Sequence, residues 1–265
     1  MKLAILGCGK IGEAVLSGLL ASRTVKPDDV VVTTKTADRA TKLGDRHGVR
    51  ATTDNAEAVQ TASTVLLCVK PQRAREVLTD LAGPLAGRLL ISTVAGIELA
   101  QLEEWSPESR VIRSMPNTPC LIREGMTVIS PGSGATDDDL DAGRSIFQSV
   151  GRCLVLEEQH MNAVTGLSGS GPAFAYVFLE ALADGGVMMG LPRDAALELA
   201  AQTAQGAARM VLQGGSHPAA LKDEVTTPAG CTIAGLLTME DGRIRSTLAR
   251  AIQEATRVAA SLGKT

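Results

Sequence analysis

Aromatic side chains are nearly missing from this 265-residue chain: one Trp, one Tyr and three Phe make up 2% of it. With so few rings and a net charge of −3, no basic stripe interleaved with aromatics can form, which excludes the usual nucleic-acid-binding surfaces. Cores must be assembled from Ala, Val, Leu and Ile, with helices approaching closely. Histidine is scarce as well. His47, His160 and His217 are the only three, none is spaced with acids or cysteines like a ligand set, and no metal is expected. The five cysteines, Cys8, Cys68, Cys120, Cys153 and Cys231, contain no C-x-x-C pair. Their odd number argues against a full disulfide framework; a reducing compartment, the cytoplasm, is expected. No apolar run reaches the ~20 residues that span a membrane. The short N-terminal run leads straight into a glycine motif, so no signal peptide is expected.

That motif is the first positive signal. Lys2 to Leu6 is a short apolar run, as in a buried parallel strand. Gly7, Cys8, Gly9, Lys10, Ile11 and Gly12 follow at once and match G-x-G-x-x-G. Ile11, Val15, Gly18 and Leu19 then fall on one helical face. Strand, glycine turn and helix in that order point to dinucleotide binding. Gly7 permits the turn, Gly9 lets the backbone approach a pyrophosphate, and Gly12 allows the helix to pack closely on the strand. The second strand, Val30 to Thr34, ends without the acid that an NAD site places there. Thr34, Lys35, Thr36 and Arg39 stand there instead, and Asp38 comes later. Hydroxyls and cations suit a 2′-phosphate, so NADPH is expected, with NADH weaker.

Strands and helices alternate through the first half. Further strands are expected at 49–52, 64–69, 88–92, 110–114, 126–129 and 153–156, with a helix over 136–150 before the last. Asp54 with Glu57 reads as a helix cap with its reciprocal acid, and Pro71 as the stop of the fourth strand and start of a helix. This is a Rossmann-type doubly wound α/β domain over 1–158, whose ligands sit beyond the carboxyl ends of the strands. Strand signals then stop, and 159–265 reads as an all-α domain, joined by a short, stiff segment near 157–160. Ala173 to Met189 is apolar nearly all round. A helical domain of this size cannot easily cover such a helix alone, so a partner subunit is expected. Ile244, Leu248, Ile252, Ala255, Val258 and Leu262 form a second apolar stripe. Glu180 and Asp184, at i and i+4, share one face and read as a polar stripe rather than catalytic acids. Ser168 and Ser170 lie among glycines, but no preceding strand makes this a hydrolase nucleophile turn; a helix start with Pro172 in its first turn fits better.

Late in the chain, Thr226, Thr227, Pro228, Ala229, Gly230, Cys231 and Thr232 bring hydroxyls and amides into one turn before an apolar helix. Such a turn suits an anion such as a carboxylate, or is simply a helix cap. Together with the glycine motif, Asp54-Asn55, 69–72, Ala95-Gly96, 115–119 and 166–176, it makes the chain resemble the Δ1-pyrroline-5-carboxylate reductases from end to end. The resemblance implies reduction of a cyclic imine carboxylate to proline. It also implies an all-α C-terminal dimerisation domain, a homodimer that can assemble into a ring of dimers, and no nucleic acid or membrane partner. It places Asn55 on the adenosine-ribose side of the cofactor. Val69, Lys70, Pro71 and Ala95 would lie on the path to the nicotinamide, and Val225, Thr227, Gly230, Cys231 and Thr232 around the substrate. The chain departs from the family pattern at Lys10, Ser63, Ala229 and Cys231.

A protonated iminium is already electrophilic, so positioning and electrostatics suffice. Amides around 230–232 with the Thr227 hydroxyl would hold the carboxylate, and the Thr232 hydroxyl the ring nitrogen. Other readings remain: a β-hydroxyacid-type dehydrogenase using Lys222, a reductase of six-membered imines, or a non-catalytic NADPH sensor.

Overall fold

The computed structural model describes residues 1–262. Eight strands form one sheet in the order β3-β2-β1-β4-β5-β6-β7-β8. They are β1 Leu3–Leu6, β2 Val30–Thr33, β3 Arg50–Thr52, β4 Thr64–Leu67, β5 Leu89–Ser92, β6 Arg110–Met115, β7 Gly125–Pro131 and β8 Gly151–Val155. Between them run α1 Lys10–Ala21, α2 Ala37–His47, α3 Asn55–Gln60, α4 Pro71–Asp80, α5 Ala82–Leu85, α6 Leu99–Trp105 and α7 Asp137–Gln148. All the expected strands form, with ends shifted by one or two residues in most. β1, β2, β4 and β5 are buried along their whole length, which is why they read as apolar runs rather than alternations.

The strand order reverses between β1 and β4, the switch point of a doubly wound sheet. Pairing is parallel throughout, save that β6 and β7 run antiparallel. Only a short turn over Thr118–Ile122 joins them, and a parallel crossover needs a dozen residues or more. Apolar clusters cover both sheet faces: Val15, Leu16, Leu19 and Phe147 on one, Leu78, Leu85, Leu90 and Leu102 on the other. The expected capping box at α3 is half formed. Asp54 accepts from the amides of Ala56 and Glu57, but Glu57 turns to Arg50 and Thr52 instead of back to the cap. The nearby guanidinium outcompetes a backbone amide as its partner.

The chain parts into two compact units between Ser170 and Gly171. The first unit keeps α8 Met161–Val164 and the π-helical turn Thr165–Gly169, and takes in 253–262 as well. Met161 is buried, and Asn117 Nδ2 donates to Ser168 O at 3.2 Å. A β-carbon on Gly169 would lie 2.6 Å from Met115 Cε. These contacts, invisible to a pattern of strand and helix signals, hold 161–170 with the sheet.

The second unit is helical: α9 Gly171–Met188, α10 Arg193–Gly214, α11 Pro218–Glu224, α12 Cys231–Asp241 and most of α13 Ile244–Ala259. Ala183, Ala196 and Ala200 form its small core, where α9 meets α10. Asp184 pairs with Arg193, so that acid ties the two helices together. Of α9 only Ala183 is buried; Tyr176, Val177 and Met188 are 62%, 66% and 85% exposed. One chain leaves this apolar helix bare, as its all-round pattern requires if another subunit covers it.

Candidate functional site

At the switch point lies a cavity of about 590 Å³. It gathers Gly7, Cys8, Gly9, Thr34, Lys35, Asn55, Val69 and Lys70, all expected from the sequence, together with Arg39. Thr33, Thr53, Cys68, Arg73 and Val77 line it too, and no motif announces them. Cys68 and Arg73 flank 69–72, so extending that run from the strand end into the first helical turn would have found them. Lys10, Ile11, Gly12, Pro71 and Ala95 do not line the cavity. Lys10 and Ile11 open α1, Pro71 opens α4 behind Lys70, and Ala95 lies beyond β5, next to β4 in the sheet.

Each motif glycine has its own geometric cause. Gly7 has φ +72°, and a β-carbon there would lie 2.7 Å from Val69 Cγ1. Gly9 caps α1 with no side chain, and a β-carbon there would meet only Gly7 O, at 3.8 Å. The room beside Gly9 thus opens into the cavity. Gly12 faces the other way, 3.1 Å from Ile5 Cγ2 and 3.5 Å from Cys68 Sγ by the same measure. The first amides of α1 have no intrahelical acceptor, and a helix start attracts a phosphate. A backbone able to approach a diphosphate, with amides behind it, fits a dinucleotide.

Charge around the cavity is of one sign. Lys35, Arg39, Lys70 and Arg73 line it, and no carboxylate does. Asp38, the first acid after β2, pairs with Lys42 one turn along α2. Arg39 reaches from α2 to Glu13 Oε2 of α1 at 3.1 Å and to the Cys8 carbonyl at 3.4 Å. Glu13 also binds Arg46 at 2.8 Å and His47 at 3.2 Å. Partial burial pushes the Glu13 carboxyl up, but the bonds from His47 and Arg46 and the charges of Arg46 and Arg39 outweigh it and hold its pKa below the ordinary value. Burial pushes the two thiols of the cavity, Cys8 and Cys68, up to about 12 each, which disfavours their thiolate forms. Among the described residues no three His, Cys, Asp or Glu side chains form a metal cluster, and no helix is long and apolar enough to cross a membrane.

The late turn belongs to the helical unit. Gly230 caps α12, so Cys231 and Thr232 occupy its first turn and Thr232 is not the cap. Two donors expected there are already engaged. The Gly230 amide bonds Thr227 O at 3.1 Å, and the Thr226 hydroxyl bonds Lys222 O at 2.7 Å. The amides of Cys231 and Thr232 remain. Val225 is 64% exposed. Ala229 holds φ +55°, where glycine is easier. Lys222 pairs with its neighbour Asp223.

Fold and cavity together define an oxidoreductase of the dinucleotide-binding α/β class. Residues 2–96 match the family model for NADP oxidoreductase, coenzyme F420-dependent. Residues 158–262 match that for pyrroline-5-carboxylate reductase dimerisation. The chain is 45% identical over 278 residues to a pyrroline-5-carboxylate reductase of Schizosaccharomyces pombe, covering 98% of both. It is 37% identical to that of Escherichia coli, covering 99% of this chain and 98% of the relative. Among solved structures, that of the Coxiella burnetii pyrroline-5-carboxylate reductase superposes with a TM-score of 0.95 at 31% identity, covering 100% of this chain and 99% of that one. The Plasmodium falciparum enzyme, solved with NADP bound, gives 0.88 at 30% identity, covering 99% and 98%. The chain belongs to the pyrroline-5-carboxylate reductase family.

Proposed function

We propose that the protein reduces Δ1-pyrroline-5-carboxylate to proline with NADPH. The observation that carries this is the Gly9 cradle with cations and no carboxylate around it, in a chain whose relatives bear that name from end to end. NADPH, when bound, supplies the hydride that the imine carbon accepts. Gly9 and the first amides of α1 hold its diphosphate, and Lys35 and Arg39 the 2′-phosphate. Asn55 lies on the ribose side, and Val69, Lys70, Pro71 and Ala95 lie toward the nicotinamide. In the helical unit, the amides of Cys231 and Thr232 and the Thr227 hydroxyl orient the substrate carboxylate, with Val225 and Gly230 shaping the turn. The Thr232 hydroxyl orients the ring nitrogen, which gains or keeps the proton that product formation needs.

Absorbance loss at the reduced nicotinamide band tests this, with NADPH or NADH and the five-membered imine carboxylate. Imine-dependent oxidation, faster with NADPH, is expected; none with either cofactor in folded protein would sink the reading. Thr232→Ala should lower turnover about 100-fold and spare NADPH binding; unchanged turnover would remove Thr232 from the chemistry. Lys35→Ala with Arg39→Ala should raise the Michaelis constant for NADPH at least about tenfold, two charge-assisted bonds being lost, with that for NADH unmoved. An equal rise for both cofactors would argue against a 2′-phosphate site.

The bare apolar faces of α9 and α10 and the dimerisation-family match support a homodimer. A ring of dimers and a cytoplasmic setting belong to the same proposal; the five free cysteines fit the latter. Scattering mass in solution at a dimer or a multiple of it is the expected result, and a monomer would overturn it.

A further inference from the structure

We infer that Thr33 decides which end of the Asn55 carboxamide faces the dinucleotide cavity, and so is a positioning residue for cofactor binding. Thr33 is the last residue of β2 and 1% exposed. Its hydroxyl accepts from the Gly7 amide at 3.1 Å and lies 2.6 Å from Asn55 Oδ1. A separation of 2.6 Å suits O–H···O and is short for N–H···O. The hydroxyl has a single proton, and it goes to the Asn55 oxygen. Asn55 therefore keeps its carbonyl end on the protein and presents Nδ2, with two donors, toward the cavity it lines.

That choice matters because the groups of a dinucleotide within reach of a strand end are oxygens of phosphate and ribose. A donor can bond either kind; a carboxamide oxygen turned the same way would repel phosphate and could only accept from a ribose hydroxyl. The polar side chains beside Asn55 at the start of α3 are engaged elsewhere. The Asp54 side chain is held by the amides of Ala56 and Glu57, and Glu57 is held by Arg50 and Thr52. The same hydroxyl ties the loop after β1 to the start of α3, so one buried group sets both walls of the cavity. Valine would fill the space and continue the run Val30, Val31, Val32, but would leave the Asn55 amide free to turn.

The inference rests on the reading of this cavity as the NADPH site, and the experiment separates the two. NADPH is titrated into the full-length protein without substrate, followed by the cofactor's own fluorescence. Wild type should bind. Thr33→Val should raise the dissociation constant about tenfold, the order expected for one misdirected hydrogen bond to a charged partner. Thr33→Ser, which restores the hydroxyl, should stay within about twofold on the same scale. On an Asn55→Ala background, Thr33→Val should add little. Equal binding by wild type and Thr33→Val, or a Ser variant as weak as the Val one, would overturn the role of Thr33. So would a double variant whose loss is the product of the single losses. No NADPH binding by wild type would overturn the cavity reading itself. Should Val disturb folding, as shown by the thermal midpoint without cofactor, Thr33→Ala gives the same test with no added bulk.

Discussion

Gly9→Val weakens NADPH binding by on the order of 100-fold, close to 2.8 kcal/mol, and leaves the thermal midpoint of the cofactor-free protein where it was. The backbone at Gly9 is extended, φ −88° and ψ −155°, with a negative φ that does not call for glycine. A β-carbon there has no protein neighbour nearer than Gly7 O at 3.8 Å, so the fold tolerates it. The branched side chain instead fills the space through which a diphosphate reaches the first amides of α1. Gly12→Val shows the opposite signature. Its side chain runs into Ile5 and Cys68, and overpacking of this kind costs about 1–3 kcal/mol of stability. Gly7→Ala loses stability for two reasons: the left-handed φ of +72° and the 2.7 Å approach to Val69. Binding titrations and thermal melts on the three variants separate these roles. A Gly9 variant that melts lower but binds NADPH normally would mean that the cofactor does not pass over Gly9.

The same three glycines show how far the sequence can be read. Strand, glycine turn and helix are local, so the motif and the place of each glycine in it could be read from spacing alone. The parallel strands were legible because burial on both faces leaves continuous runs such as Val65, Leu66 and Leu67. What escaped depends on register. Thr33 and Cys68 reach the cavity only because β1 pairs with β2 on one side and β4 on the other, and no local pattern states that pairing. The turn before α12 was read as a set of free donors, yet the Gly230 amide and Thr226 hydroxyl close the turn on itself; composition shows which groups are present, not which are engaged. The chain stays with the sheet as far as Ser170 because Asn117 and Met115 meet the π-helical turn. An all-round apolar α9 could be recognised, and its demand for cover follows from hydrophobicity alone.

The stretch just after β8 carries the larger stability effect. Arg113, on β6, has a side chain only 5% exposed, whereas its partner Glu158 is 33% exposed. Arg113 Nη1 donates to Glu158 Oε1 at 3.0 Å, and the same oxygen accepts from the Leu99 amide at the start of α6, at 2.5 Å. One carboxylate thus neutralises a buried cation and caps a helix. The two partners are unequal for this reason. Glu158→Ala strands a guanidinium inside the sheet layer and leaves the helix amide unpaired, and breaking a buried pair from that side costs about 3–5 kcal/mol. Arg113→Met removes the buried charge and leaves a carboxylate that water can reach. Replacing both, Arg113→Met with Glu158→Gln, removes both charges and keeps an acceptor for Leu99. Chemical denaturation followed by the single tryptophan, Trp105 at the end of α6, ranks the three. The expected order of loss is Glu158→Ala first, with the double variant well below it. A double variant as unstable as Glu158→Ala would show that the pair itself, rather than relief of a stranded charge, supports the fold.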